Sequence, residues 1–302
     1  MPSSITHQLV AEETLKRLPD GIQKIIERSP DEYFLGAQGP DVFFFYRIGC
    51  KSEFNLGRFL HRYRVYDVFC FFLNALRENT VPRFTADSRE KALSYILGYI
   101  SHYCTDSAFH PFVYNYLNEH QSAKRVHQLM ENDWDVYFLR ELRGKSVEKF
   151  EFAFSPDEII DDGSVARLYG CLARVLNRED IEKRKFDNAI HNFYRYLKFF
   201  HGKCYSAQRG WEGAEKFFHA KPLLGALYPR ENPDPDFLSG EDFYRLAEER
   251  GKDADDLFDL AVNESERLML VFLNAALHDE PLSKEDFGKW SFEGIPIEED
   301  TV

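Results

Sequence analysis

Apolar residues return at helical intervals along most of this chain. Over residues 5–28, Ile5, Leu9, Leu15, Leu18, Ile22 and Ile25 mark one face of an amphipathic helix, interrupted near Pro19–Gly21. The same periodicity predicts helices at about 58–78, 89–119, 121–143, 164–177 and 179–201, and a shorter one near 209–219. After the proline-rich link Pro229–Pro235 it resumes near 241–250 and 254–277. Gly36, Gly39, Pro40 and Gly49 break residues 31–57 into loop or short helical pieces. Only Val147–Phe154 (VEKFEFAF) alternates as a strand would. The tail after Ser283 is acidic and weakly periodic, which fits a surface wrap or a disordered end. The predicted class is all-α: one multi-helix domain over 1–302, with a core over about 1–202 and a helical extension over about 203–302.

Composition adds limits. Among 302 residues there are 28 Phe and 16 Tyr, enough for a bulky core. A formal charge of -13 argues against nucleic acid, or an anionic membrane, bound through a large basic face. It leaves room for a small phosphate ester held by metal ions, because a bound cation dominates its local field. The first residues lack a basic start followed by an apolar stretch, and no apolar run reaches 18 residues, so neither export nor a membrane span is expected. Cys50, Cys70, Cys104, Cys171 and Cys204 are odd in number and form no CxxC pair, which fits reduced thiols in the cytoplasm. Nothing in the pattern bears on oligomeric state.

Candidate chemistry concentrates in Tyr95–Phe112, YILGYISHYCTDSAFHPF. His102, Asp106 and His110 are spaced at i, i+4 and i+8. Each step turns about 40° and rises about 6 Å, so the three stack on one helix face. His and carboxylate are preferred zinc ligands, and an i, i+4 pair can chelate one ion. His127 and Glu131 repeat that spacing, His61 sits in GRFLHRYR, Asp41 ends the turn GAQGPD, and His7 lies in the first helix. A single His-xxx-Asp pair is usually a surface ion pair or hydrogen bond. The doubled spacing flanked by Ile100, Phe109 and Phe112 says more. His120, His191, His201, His219 and His278 have no such partners, and Cys104 points to another face and reads as packing. Pro111 would end or kink the helix beside His110.

As an ordered set these residues resemble the zinc-dependent phospholipase C family of bacteria, whose helical fold is shared with single-strand-specific zinc nucleases. The resemblance runs from residue 5 to about 135. It implies that Asp41, His61, His102 and Asp106 hold one zinc and that His110, His127 and Glu131 hold a second. Asp106 would bridge to a third, also held by His7, so about two or three Zn2+ ions are implied. In secreted relatives a mature N-terminal Trp completes that third site, whereas the first Trp here is Trp134. The implied activity is hydrolysis of a phosphodiester, phospholipid-like or a soluble headgroup analogue, by metal-activated water. Asp41 would orient or deprotonate that water as well as ligate.

Two alternatives share the fold: a phosphomonoesterase or nuclease-like enzyme, and a non-catalytic metal-binding partner protein. The aromatics Phe43–Tyr46 and Phe109 would distinguish substrates if they walled the pocket, although such runs are usually core. An HD-type phosphohydrolase needs an adjacent His-Asp pair, present only as His278–Asp279 without neighbouring ligands.

Overall fold

A computed structural model describes residues 4–45, 56–77, 85–121, 124–175, 183–218 and 224–297. Tyr46, Gly49, Cys50 and His219 lie outside the described residues. Helices appear in the order α1 (Ser4–Arg17), α2 (Asp20–Arg28), α3 (Pro30–Gly36), a 3-10 turn over Gly39–Phe45, α4 (Leu56–Arg62) and α5 (Val65–Leu76). They continue with α6 (Ala86–Glu119), α7 (Lys124–Arg143), α8 (Pro156–Asp162), α9 (Ser164–Val175) and α10 (Lys183–His201). The last are α11 (Cys204–Phe217), α12 (Phe243–Leu246), α13 (Ala254–His278) and α14 (Lys284–Phe287). The all-α class is what the structure shows. Among the described residues, no helix is long and apolar enough to cross a membrane.

The 34-residue α6 is the axis, about 50 Å long at 1.5 Å per residue, and α1, α3, α7 and α13 pack along it. Its first half, including Ala92, Ile96 and Ile100, enters one apolar cluster with α5, α9 and α10. Its second half, including Phe109, Phe112 and Val113, enters another with α7 and α13. His102, Asp106 and His110 lie where the two clusters meet. Contact of α3 with α6 is backbone to backbone, since a Cβ on Gly98 would stand 2.0 Å from the Tyr33 carbonyl oxygen. That approach delivers the Gly39–Phe45 turn, and Asp41 with it, onto the ligand-bearing part of α6.

Gly39 starts this turn at φ +52, and a Cβ there would lie 2.3 Å from the His102 ring. Left-handed strain and overpacking against a buried imidazole add, so Gly39→Ala is expected to lose roughly 2–4 kcal/mol of stability. Urea unfolding measures it; a loss below about 1 kcal/mol would mean that the turn relaxes freely.

Several expectations are corrected. The helix expected over 58–78 is two helices, separated at Arg64, which takes φ 56. Val147–Phe154 is no strand: after a 3-10 turn at Val147–Lys149 it continues without regular structure, placing Phe150, Phe152 and Phe154 against the helices. Near 241–250 only the single turn of α12 forms, and α8 was not expected.

Pro111 does not end α6. Proline removes the donor that would bind the Ser107 carbonyl one turn back. Here the Arg250 guanidinium donates to that carbonyl instead, so the freed acceptor is satisfied from another part of the chain. His110 therefore stays on the face that carries His102 and Asp106.

Candidate metal centre

Five elements deliver the eight candidate side chains, and local chemistry holds them. The first turn of α1 is fixed to α7 by Asp135, which accepts from the Ile5 and Thr6 amides at 3.2 and 2.7 Å and from the Thr6 hydroxyl at 2.8 Å. His7 thereby points inward and stacks on His102 at 4.2 Å between ring centroids. The 3-10 turn brings Asp41, α4 brings His61, α6 brings His102, Asp106 and His110, and α7 brings His127 and Glu131. All eight come together. All are buried except His127, which is partly exposed.

Three of the histidines have one ring nitrogen tied to a main-chain carbonyl: His61 Nδ1 to Gly57 at 2.6 Å, His102 Nδ1 to Ala37 at 3.2 Å, His110 Nδ1 to Phe292 at 2.7 Å. A carbonyl only accepts, so Nδ1 carries hydrogen and Nε2 presents its lone pair inward. What Nε2 meets is carboxylate. His61 Nε2 lies 3.1 Å from Asp41 Oδ1 and 3.4 Å from Asp106 Oδ2, and His102 Nε2 lies 3.3 Å from Asp106 Oδ2. His7 Nε2 is 3.2 Å from Asp106 Oδ1. At the far end, Glu131 Oε1 is 2.8 Å from His127 Nε2 and 3.7 Å from His110 Nε2.

Lone pairs facing carboxylates in a buried place repel unless a proton or a cation lies between them. Asp41 Oδ2, His102 Nε2 and Asp106 Oδ2 are buried atoms with no hydrogen-bond partner. Ligand atoms converge in three groups able to hold an ion: His7/His102/Asp106, Asp41/His61/His102 and His110/His127/Glu131. The donors are imidazole nitrogen and carboxylate oxygen throughout, the set that zinc takes in hydrolytic sites. The residues present fit zinc.

The same field governs protons. Burial would lower the His61 pKa, but the facing Asp106 and Asp41 carboxylates push it up to about 10. Burial opposes a proton on His110 too, and Asp106 and Glu131 overcome it, raising the pKa to about 9. His102 goes the other way, lowered chiefly by its complete burial. Burial works against ionisation of Asp106 and Glu131, yet the facing histidines hold both below the usual carboxylate range. A pocket that draws protons this strongly draws a divalent cation for the same reason.

The cluster opens on a cavity of about 390 Å³, lined by Asp41, His61, Asp106, His110, His127 and Glu131. Its outer wall is Phe44, Arg58, Arg62, Tyr114, Leu117, Asn118 and Glu293. Apart from Phe44, those wall residues escaped the sequence reading, although Arg58 and Arg62 flank His61 on α4. Of the described aromatics considered, Phe43, Phe45 and Phe109 are core and Phe44 reaches the cavity. Trp134 is structural, its indole donating to the Phe237 carbonyl at 2.8 Å. Cys104 is packed in the core. His278 ends α13 and Asp279 is exposed beyond it, far from an HD-type arrangement.

Residues 6–211 match the model of the family described as zinc dependent phospholipase C, so the chain belongs to that family. The match spans about two thirds of the sequence and includes every one of the eight residues above. Among curated proteins and among solved structures, nothing matches the chain.

Proposed function

We propose that this protein is a zinc-dependent phosphodiesterase of the phospholipase C type, acting on a phospholipid-like or soluble headgroup diester. The observation that carries it is the gathering of three His/carboxylate ligand groups, with Asp106 facing four of their imidazoles, along a cavity of about 390 Å³. When bound there, zinc would supply Lewis acidity and a water activated near neutral pH. His7, Asp41, His61, His102, Asp106, His110, His127 and Glu131 would hold the ions. Asp41 lines the cavity with one oxygen engaged by His61 and the other unpartnered, so it can accept a proton from water held before the phosphorus. Main-chain carbonyls of Ala37, Gly57 and Phe292 keep the Nε2 lone pairs directed inward. Arg58 and Arg62 stand at the mouth, where guanidinium groups can meet phosphoryl oxygens, and Phe44 and Leu117 offer apolar surface beside them.

The test is elemental analysis of untagged protein together with hydrolysis of an aryl phosphodiester, an aryl phosphomonoester and short-chain phospholipid. Zinc near two or three equivalents, about the content of multinuclear hydrolases, and diester cleavage abolished by chelation are expected. Exclusive monoester cleavage would overturn the substrate class. Fewer than about two equivalents after zinc is supplied would overturn the multinuclear centre.

A further inference from the structure

Beyond the family-matched stretch, the chain returns to the metal pocket. We propose that the segment Trp290–Ile297 is a working part of the metal centre, in which the Phe292 main-chain carbonyl positions His110 for its ion. This rests on the metal reading above.

The segment is a tight loop, with the Ser291 amide donating to the Ile295 carbonyl at 2.9 Å and the Gly294 amide to the Ser291 carbonyl at 2.9 Å. A tail that merely covered apolar surface would present side chains. This one presents a peptide. The Phe292 amide donates to the His61 carbonyl at 3.0 Å, and its carbonyl accepts from His110 Nδ1 at 2.7 Å. The Phe292 ring fills the space between two ligand rings, with centroids 5.3 Å from His61 and 5.6 Å from His102. Next along, the Glu293 carboxylate accepts from Arg62 at 2.6 Å and from the Tyr114 hydroxyl at 3.0 Å, forming part of the cavity wall.

Two anchors set its height over α6. Tyr103 donates to the Trp290 carbonyl at 3.0 Å. Gly294, at φ +67, sits so close to Pro111 that a Cβ would be 2.5 Å from its Cγ. Pro111 follows His110 directly, so loop and ligand are registered against each other. With Nδ1 held by the carbonyl, Nε2 of His110 is the nitrogen turned to Glu131 and His127. An imidazole with both orientation and tautomer fixed gives up less freedom on binding an ion, and loss of such a partner typically costs roughly 10–100-fold in metal affinity.

The experiment uses the full chain, wild type and Gly294→Val, titrated with zinc and with cobalt as a spectroscopic probe. The valine lifts the loop by pressing on Pro111 and leaves both hydrogen-bonding groups, the Phe292 carbonyl and the His110 ring, chemically unchanged. The expected result is one class of zinc site weakened roughly ten-fold or more, with the matching cobalt visible bands shifted. A melting temperature lowered with both metal readouts unchanged would assign the loop a structural role only and overturn the proposal. Should the valine variant not fold, nitrogen NMR of imidazole-labelled wild type decides. Hydrogen on His110 Nδ1 with zinc on Nε2 supports the proposal, and zinc on Nδ1 overturns it. Wild type that binds no metal would overturn the metal reading itself.

Discussion

Asp106→Asn is expected to lose zinc and hydrolytic activity together. Asp106 is the one carboxylate shared by four imidazoles, at 3.2 Å from His7, 3.4 Å from His61, 3.3 Å from His102 and 3.9 Å from His110. Asparagine keeps the shape, removes the charge and turns one ligand oxygen into an N–H donor. Removing one partner from a buried charged set costs about 3–5 kcal/mol, which corresponds to roughly 10²–10³·⁵-fold in zinc affinity. Elemental analysis after dialysis and the diester assay should fall in parallel. In metal-free protein the same change should let His61 and His110 release their protons at lower pH, since Asp106 is a principal cause of both raised values. Imidazole proton shifts against pH report this. Full zinc content and activity in the variant would remove Asp106 as the common ligand.

Stripping the ions is expected to destabilise the protein, and by more as pH rises. Zinc present at 100–1,000 times its dissociation constant contributes about 2.7–4.1 kcal/mol, all of it lost on chelation. His61 at about 10 and His110 at about 9 lie above an unfolded value near 6.5. The folded metal-free chain therefore binds more protons than the unfolded one. Its proton-linked stability is fully present below pH of about 6.5 and is lost as pH rises through about 9 and 10. Zinc competes with those protons, so its affinity climbs across the same window. Thermal unfolding of loaded and stripped protein should diverge from pH 6.5 upward. Convergence over that range would contradict ligation by His61 and His110.

What could be read from sequence followed from the range of each interaction. The face His102–Asp106–His110 was legible because one helix carries it, and helical geometry needs no knowledge of the rest of the chain. His7, Asp41, His61 and the pair His127/Glu131 were placed only by likeness to a family, since their meeting depends on packing among five elements. Arg64 gave no sign of the left-handed turn that divides α4 from α5. Pro111 gave a false sign of helix end, because the donor that relieves it, Arg250, lies 139 residues away. The alternation of Val147–Phe154 was real but reports aromatics pressed into two helical cores, with no second strand among the described residues to pair. Phe292 was invisible for another reason: it acts through its peptide, and every residue has one.

That last contact fixes an order of events in the life of the molecule. The wall around His110 joins residues 110 and 292, so its closure spans 182 positions of chain. Helices α1 to α7 can dock while later residues are still being synthesised, but the pocket stays open on one side until the segment at 292 has emerged and turned back. Ion capture in a finished pocket thus waits on a long-range return of the chain, and the turn that brings residue 292 back onto α6 is the one that seals the metal centre.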